Sequence, residues 1–188
     1  MPTSALDDFI GASMACAAGH PEPADCVAAI APLMHGLLRH ADSFLKPQHL
    51  RADPDRYARN LIHAAPDQGL SLYAIVWTPG QWTPVHDHGS WGVVGVLRGV
   101  LEERSYIRLG AHDAESGIAL QRGGVILLGP GSVTSFVPNP DHIHLTGVGA
   151  EREPVVSLHL YGRNMDSFHL YDVAAGTRSK VDLAHNES

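Results

Sequence analysis

Apolar positions along this chain change their spacing near residue 57. Before that point Val27, Ile30, Ala31, Met34, Leu37 and Leu38 recur at a period of about 3.6, which predicts a helix over residues 23–40. Residues 5–18 are Ala-rich and predict a second helix. Pro21, Pro23 and the Ala24-Asp25 pair suit the opening of the later helix, and Pro32 inside it predicts a kink or a split. Residues 46–54 read as a connector. Beyond Tyr57 the apolar runs are short, β-branched and aromatic: 70–78, 93–97, 100–109, 124–128, 133–137, 143–148 and 155–161. Gly and Pro separate them. Many short strands so punctuated predict a sandwich or barrel of jelly-roll type behind the N-terminal helices. No repeat and no linker divides the chain. One domain over 1–188 is expected, with a helical segment at 1–50 and a barrel at 57–176. The polar stretch 177–188 is expected to be loosely ordered.

Composition narrows the function. The chain has 188 residues, 44 % hydrophobic and 18 % charged, with a formal charge of -7. It has no basic stripe, which argues against nucleic acid or an anionic membrane surface as partner. No apolar run approaches the roughly 20 residues that span a bilayer. The N-terminus lacks the charge and apolar stretch of a secretory signal, so a cytoplasmic protein is expected. Cys16 and Cys26 are then expected to be free thiols.

The candidate chemistry lies in Gly80-Gln-Trp-Thr-Pro-Val-His86-Asp87-His88-Gly89. Residues two apart on an extended chain point the same way, so His86 and His88 can reach one metal ion while Asp87 faces away. A third histidine can come from His142 or His144, which share a strand face. Ser157, His159 and Tyr161 also alternate on one strand and project together, a row able to fix a phenol and pass a proton.

Gly80, His86, His88 and Gly99 together resemble the first cupin motif, whose usual glutamate ligand is replaced here by Gly92. Three further elements resemble the cysteine dioxygenase family of cupin thiol dioxygenases, bacterial type. These are Tyr57-Ala-Arg59-Asn60-Leu61, His144, and Ser157-Leu-His159-Leu-Tyr161 thirteen residues beyond His144. The resemblance covers residues 57–162 and implies a cupin-type β-barrel. It implies Fe(II) held by His86, His88 and His144, so that His144 rather than His142 is the third ligand. It implies that the Tyr161 hydroxyl points at the substrate, with His159 and Ser157 behind it, and that Arg59, helped by Tyr57, pairs with a substrate carboxylate. The expected partners are O2 and a small thiol carboxylate, L-cysteine first, oxidised to its sulfinate. The protein is expected to be a monomer or small homo-oligomer.

Departures from the family bear on the substrate. Animal members carry at the Gly92 position a cysteine crosslinked to the tyrosine matching Tyr161; glycine allows no crosslink and leaves more room beside the metal. Members resembling 3-mercaptopropionate dioxygenases carry glutamine at the Arg59 position, so Arg59 favours cysteine. Mercaptosuccinate, with two carboxylates, wants a second cation, for which Arg163 is the candidate. Trp91 is a candidate pocket residue, and Trp77 and Trp82 are expected in core or rim packing. His20, His35, His40, His49, His63, His112, His169 and His185 lack ligand spacing and are expected on the surface or in helices. Two other readings fit three histidines: a zinc cupin performing hydrolysis or isomerisation, and a non-catalytic cupin binding a small molecule.

Overall fold

The computed structural model describes residues 4–66, 69–110, 115–138 and 142–182. Two helices come first, α1 (Ala5–Gly19) and α2 (Pro23–Arg39). Ser4 caps α1 in a reciprocal capping box with Asp7. α2 runs unbroken through Pro32, so of the expected kink or split the split does not occur. Its apolar stripe, Ile30, Met34 and Leu37, is fully buried, and that burial offsets the hydrogen bond Pro32 cannot make. The connector contains a short 3-10 turn, Pro47–Leu50.

Ten strands follow: β1 (Ala58–Ala64), β2 (Ser71–Trp77), β3 (Gly92–Arg98), β4 (Leu101–Leu109), β5 (Ala119–Leu128), β6 (Val133–Phe136), β7 (Ile143–Gly147), β8 (Val155–Tyr161), β9 (Ser167–Asp172) and β10 (Thr177–Asp182). The molecule is mainly β, with antiparallel sheets behind two N-terminal helices, as expected of a cupin-type barrel. Three corrections to the strand boundaries stand out. β5 begins five residues earlier than its apolar run. β9 lacks a long apolar run. β10 is ordered where loose structure was expected, because six backbone pairs hold it to β9. Residues 183–188 lie outside the described residues.

One sheet has the order β1-β2-β8-β3-β6. Its two faces explain why β2 and β8 are buried at every position. Leu72, Ala74, Val93, Leu158 and Leu160 face the helices and pack with Ile30, Met34 and Leu37. The alternate residues face inward, among them Tyr73, Ile75, Trp77, Val94 and Tyr161. Opposite lies a sheet of order β5-β4-β7. Residues 82–87 extend it: His86 exchanges backbone hydrogen bonds with His144 of β7 (2.8 and 3.0 Å), and the Tyr171 amide of β9 donates to Val85. Gly147 permits this approach, since a Cβ there would stand 2.4 Å from the Gln81 carbonyl oxygen.

Candidate metal centre

Pairing of residues 82–87 with β7 brings His86 beside His144, and alternation brings His88 onto the same face. All three imidazoles are buried, and their ligand nitrogens lie within 4.8 Å of one another. The Nε2 atoms of His86 and His88 are 3.2 Å apart. His86 Nδ1 donates to the Pro84 carbonyl (3.0 Å), which leaves Nε2 as a lone pair. The Nε2 of His144 is buried and has no hydrogen-bond partner. Burial first, and then the neighbouring imidazoles, holds the pKa of His86 and His88 well below the usual histidine value. Burial lowers His144 too, against the Glu103 carboxylate, which pulls the other way. Three buried imidazoles held neutral, with ligand nitrogens this close together, fit a divalent metal ion.

The row on β8 faces this cluster across a shared cavity lined by Tyr57, Arg59, Trp77, His159, Tyr161 and the three histidines, among others. Ser157 Oγ is 2.8 Å from His159 Nε2, and His159 Nδ1 is 3.2 Å from the Tyr161 oxygen. Trp77 Nε1 donates to Ser157 Oγ at 3.0 Å. Burial lowers the His159 pKa to about 3 and pushes the Tyr161 phenol well above its ordinary value, so both groups are neutral at pH 7.

Arg59 and Tyr57 complete the wall. The Arg59 guanidinium lies 4.8 Å above the Tyr73 ring and donates through Nη2 to the Met165 carbonyl (3.1 Å). Its Nη1 is buried with no partner. The Tyr57 ring stacks on Trp77 at 4.8 Å. The cavity itself is tight, about 30 Å³, where one water needs about 10–15 Å³.

Several residues stand elsewhere than expected. Arg163 is committed to backbone: it donates to the His88 carbonyl (3.1 Å from Nη2) and to the carbonyls of Asn164 and Ser167, and it pairs with Asp166. Trp91 packs with the helix-side core and against Gly162, away from the cavity. Gly92 does not open space: the Phe136 ring fills it, and a Cβ at 92 would meet Phe136 Cζ at 2.3 Å. Asp87 faces away from the cluster as expected, accepting from Tyr171 (2.7 Å) and sitting 3.2 Å from His169 Nδ1. His169 is therefore half-buried rather than a surface residue, and His49 is buried with its Nδ1 accepting the Lys46 amide. His112 and His185 lie outside the described residues. Cys16 and Cys26 are free thiols. No helix among the described residues is long and apolar enough to cross a membrane.

Among the cavity residues that sequence reasoning missed are Trp77 as a polar partner, Phe136 and Glu103. Phe136 stacks on His88 (4.5 Å) and on His142 (4.8 Å). Glu103 of β4 approaches His142 Nε2 at 3.2 Å and His144 Nδ1 at 3.3 Å. Burial alone would raise its pKa, but the contacts to His142 and His144 hold it well below the carboxylate range. Strand register, which no local pattern reveals, places all three.

Human cysteine dioxygenase type 1 is 27 % identical over 139 residues, covering 72 % of this chain, and the bovine protein is 28 % identical over 137 residues, covering 71 %. The match spans about two thirds of the length of these curated relatives, 65 % and 64 %. A solved Klebsiella pneumoniae protein with a double-stranded β-helix domain is 17 % identical, with a TM-score of 0.48 over 66 % of this chain and 91 % of that one. The family model for cysteine dioxygenase type I matches residues 27–174, a span that holds every cavity residue named above, and the chain belongs to that family.

Proposed function

We propose that the protein is a non-haem Fe(II) thiol dioxygenase that converts a small thiol carboxylate, L-cysteine foremost, to its sulfinate with O2. The observation that carries this reading is the convergence in one cavity of three buried imidazoles with ligand nitrogens within 4.8 Å of one another, a tyrosine oxygen 3.2 Å from His159 Nδ1, and a buried arginine Nη1 with no partner. His86, His88 and His144 would hold the metal through Nε2. Bound there, Fe(II) keeps its full positive charge, favours thiolate over thiol, and supplies the one-electron chemistry that O2 requires.

The chain's own residues do the rest. Trp77 Nε1–H can only donate, which leaves the Ser157 hydroxyl proton free to be given to His159 Nε2. His159 then carries its proton on Nδ1 and donates to the Tyr161 oxygen. The Tyr161 O–H is thereby left to donate into the cavity, where it can hold a proton against a developing anion. Arg59 Nη1, preset by Met165 and the Tyr73 ring, takes the substrate carboxylate. Val94, Ile75, Leu101, Phe136, Met165 and Phe168 exclude water around the reacting sulfur.

Charge bears on the substrate. Among the described residues lining the cavity, Arg59 is the single arginine or lysine, and Arg163 is spent on carbonyls. One cation matches one carboxylate, which favours cysteine or 3-mercaptopropionate over mercaptosuccinate. Oxygen uptake by iron-loaded protein, with the sulfinate identified by mass, tests the proposal on these three thiols. Uptake with one of them, stoichiometric with sulfinate, is expected. Iron-loaded protein that consumes no O2 with any of the three would refute it.

A further inference from the structure

We propose that Glu103 is the positioning residue of the third metal ligand, and that His142 is its clamp. Glu103 is a buried carboxylate on β4, and its ion-pair partners among the described residues are two imidazoles, His142 and His144. Neither arginine nor lysine neutralises it. A buried carboxylate needs N–H donors, and a neutral imidazole has one to give. Glu103 Oε2 stands 3.3 Å from His144 Nδ1, within ion-pair distance though not aligned as a hydrogen bond; an N–H on Nδ1 turned onto that carboxylate leaves Nε2 as the lone pair. His144 Nε2 is buried without a partner, and the ligand nitrogens of His144, His86 and His88 lie within 4.8 Å of one another. Glu103 Oε1 stands 3.2 Å from His142 Nε2, again within ion-pair distance and not aligned as a hydrogen bond.

His142 is held in turn. Its ring lies parallel to Phe136 (4.8 Å, 7°), and Phe136 stacks on His88 (4.5 Å, 23°). The contacts run from His88 through Phe136, His142 and Glu103 to His144. Two ligands from distant segments are thus braced through one continuous set of contacts. Glu103 approaches His144 at Nδ1 and leaves Nε2 for the metal, so in this assignment it acts through the ligand. A carboxylate behind a metal-bound histidine raises ligand basicity and fixes ring orientation, and its loss costs about 10–100-fold in metal affinity.

The assignment rests on His86, His88 and His144 as metal ligands and is independent of any thiol. Anaerobic Co(II) binding, measured by competition with a chelator, tests it. Glu103→Gln is expected to weaken binding about 10–100-fold, and Glu103→Asp to recover part of that. His142→Phe, which keeps the stack on Phe136, is expected to weaken binding at least threefold. Folded Glu103→Gln protein that binds Co(II) within twofold of the unsubstituted protein would overturn the role of Glu103. Unchanged binding by His142→Phe would overturn the clamp, and it decides the case should Glu103→Gln fail to fold. Unsubstituted protein that binds no Co(II) would instead remove the metal centre itself, whereas tight binding without thiol-dependent O2 uptake would remove only the dioxygenase reading.

Discussion

Replacing Tyr161 with phenylalanine takes one oxygen from the cavity wall and leaves the ring that packs in the inward core. The hydroxyl is the end of a row whose polarity starts at Trp77, so the loss is expected in turnover rather than in metal binding. A positioned proton donor contributes about 10²–10⁴-fold, and Tyr161→Phe is expected to lower kcat by at least about 10²-fold with iron content unchanged. Steady-state kinetics on metal-quantified protein check it; a kcat within threefold of the original would exclude the donor role. Arg59→Gln should act on KM instead. A charge-assisted hydrogen bond to a carboxylate is worth about 1.5–3 kcal/mol, so KM is expected to rise about 10–100-fold for a carboxylate-bearing thiol. An unchanged KM would place the carboxylate elsewhere. These residues were legible because each sits in a short local pattern: His86 and His88 two apart, Ser157, His159 and Tyr161 alternating. Glu103 was not, because only the β4–β7 register brings it to His144, and Glu102 beside it looks the same in sequence.

At the scale of elements, the inward face of β3 and β8 is where sequence and structure part company most usefully. Register sets Gly92 opposite both Tyr161 on β8 and Phe136 on β6. Sequence alone suggested empty space at a glycine facing the metal; the neighbouring strand fills it with an aromatic ring. Gly92→Ala is therefore expected to destabilise, because its Cβ meets Phe136 Cζ at 2.3 Å and Phe136 is itself pinned between His88 and His142. Overpacking of this kind costs about 1–3 kcal/mol. Chemical denaturation of the metal-free protein measures it, and Phe136→Leu in the same chain should return part of the loss. No change in midpoint would mean that the ring is free to move. Apolar runs revealed β2, β3, β4, β6, β7 and β8, since these carry buried apolar side chains of the core clusters. β10 was missed: its hairpin with β9 leaves it polar and largely exposed, and pairing rather than burial defines it.

For the whole molecule, the centre sets a conflict between protons and folding. His86, His88, His144 and His159 are buried in one cavity, each with its pKa lowered chiefly by burial. When unfolded they titrate near 6.5. Between that value and their lower folded values, the unfolded chain binds more protons than the native one. Stability of the metal-free protein must therefore rise with pH through this window and fall as pH drops below about 6.5, by up to about 1.4 kcal/mol per pH unit for each group. Glu103 acts in the same direction but only in the more acidic carboxylate range. A metal ion on His86, His88 and His144 competes with those same protons, so its stabilising effect is largest at neutral pH and vanishes in acid. Thermal midpoints recorded from pH 8 to pH 5, with and without Zn(II) as a redox-silent probe, should show two curves that converge on acidification. At pH 7.5, metal at a hundredfold excess over its Kd should add about 2.7 kcal/mol. A metal-free midpoint that stays level from pH 8 to pH 5 would mean that these imidazoles reach solvent, and a cavity open to water in that way could not keep the row from Trp77 to Tyr161 polarised toward the substrate.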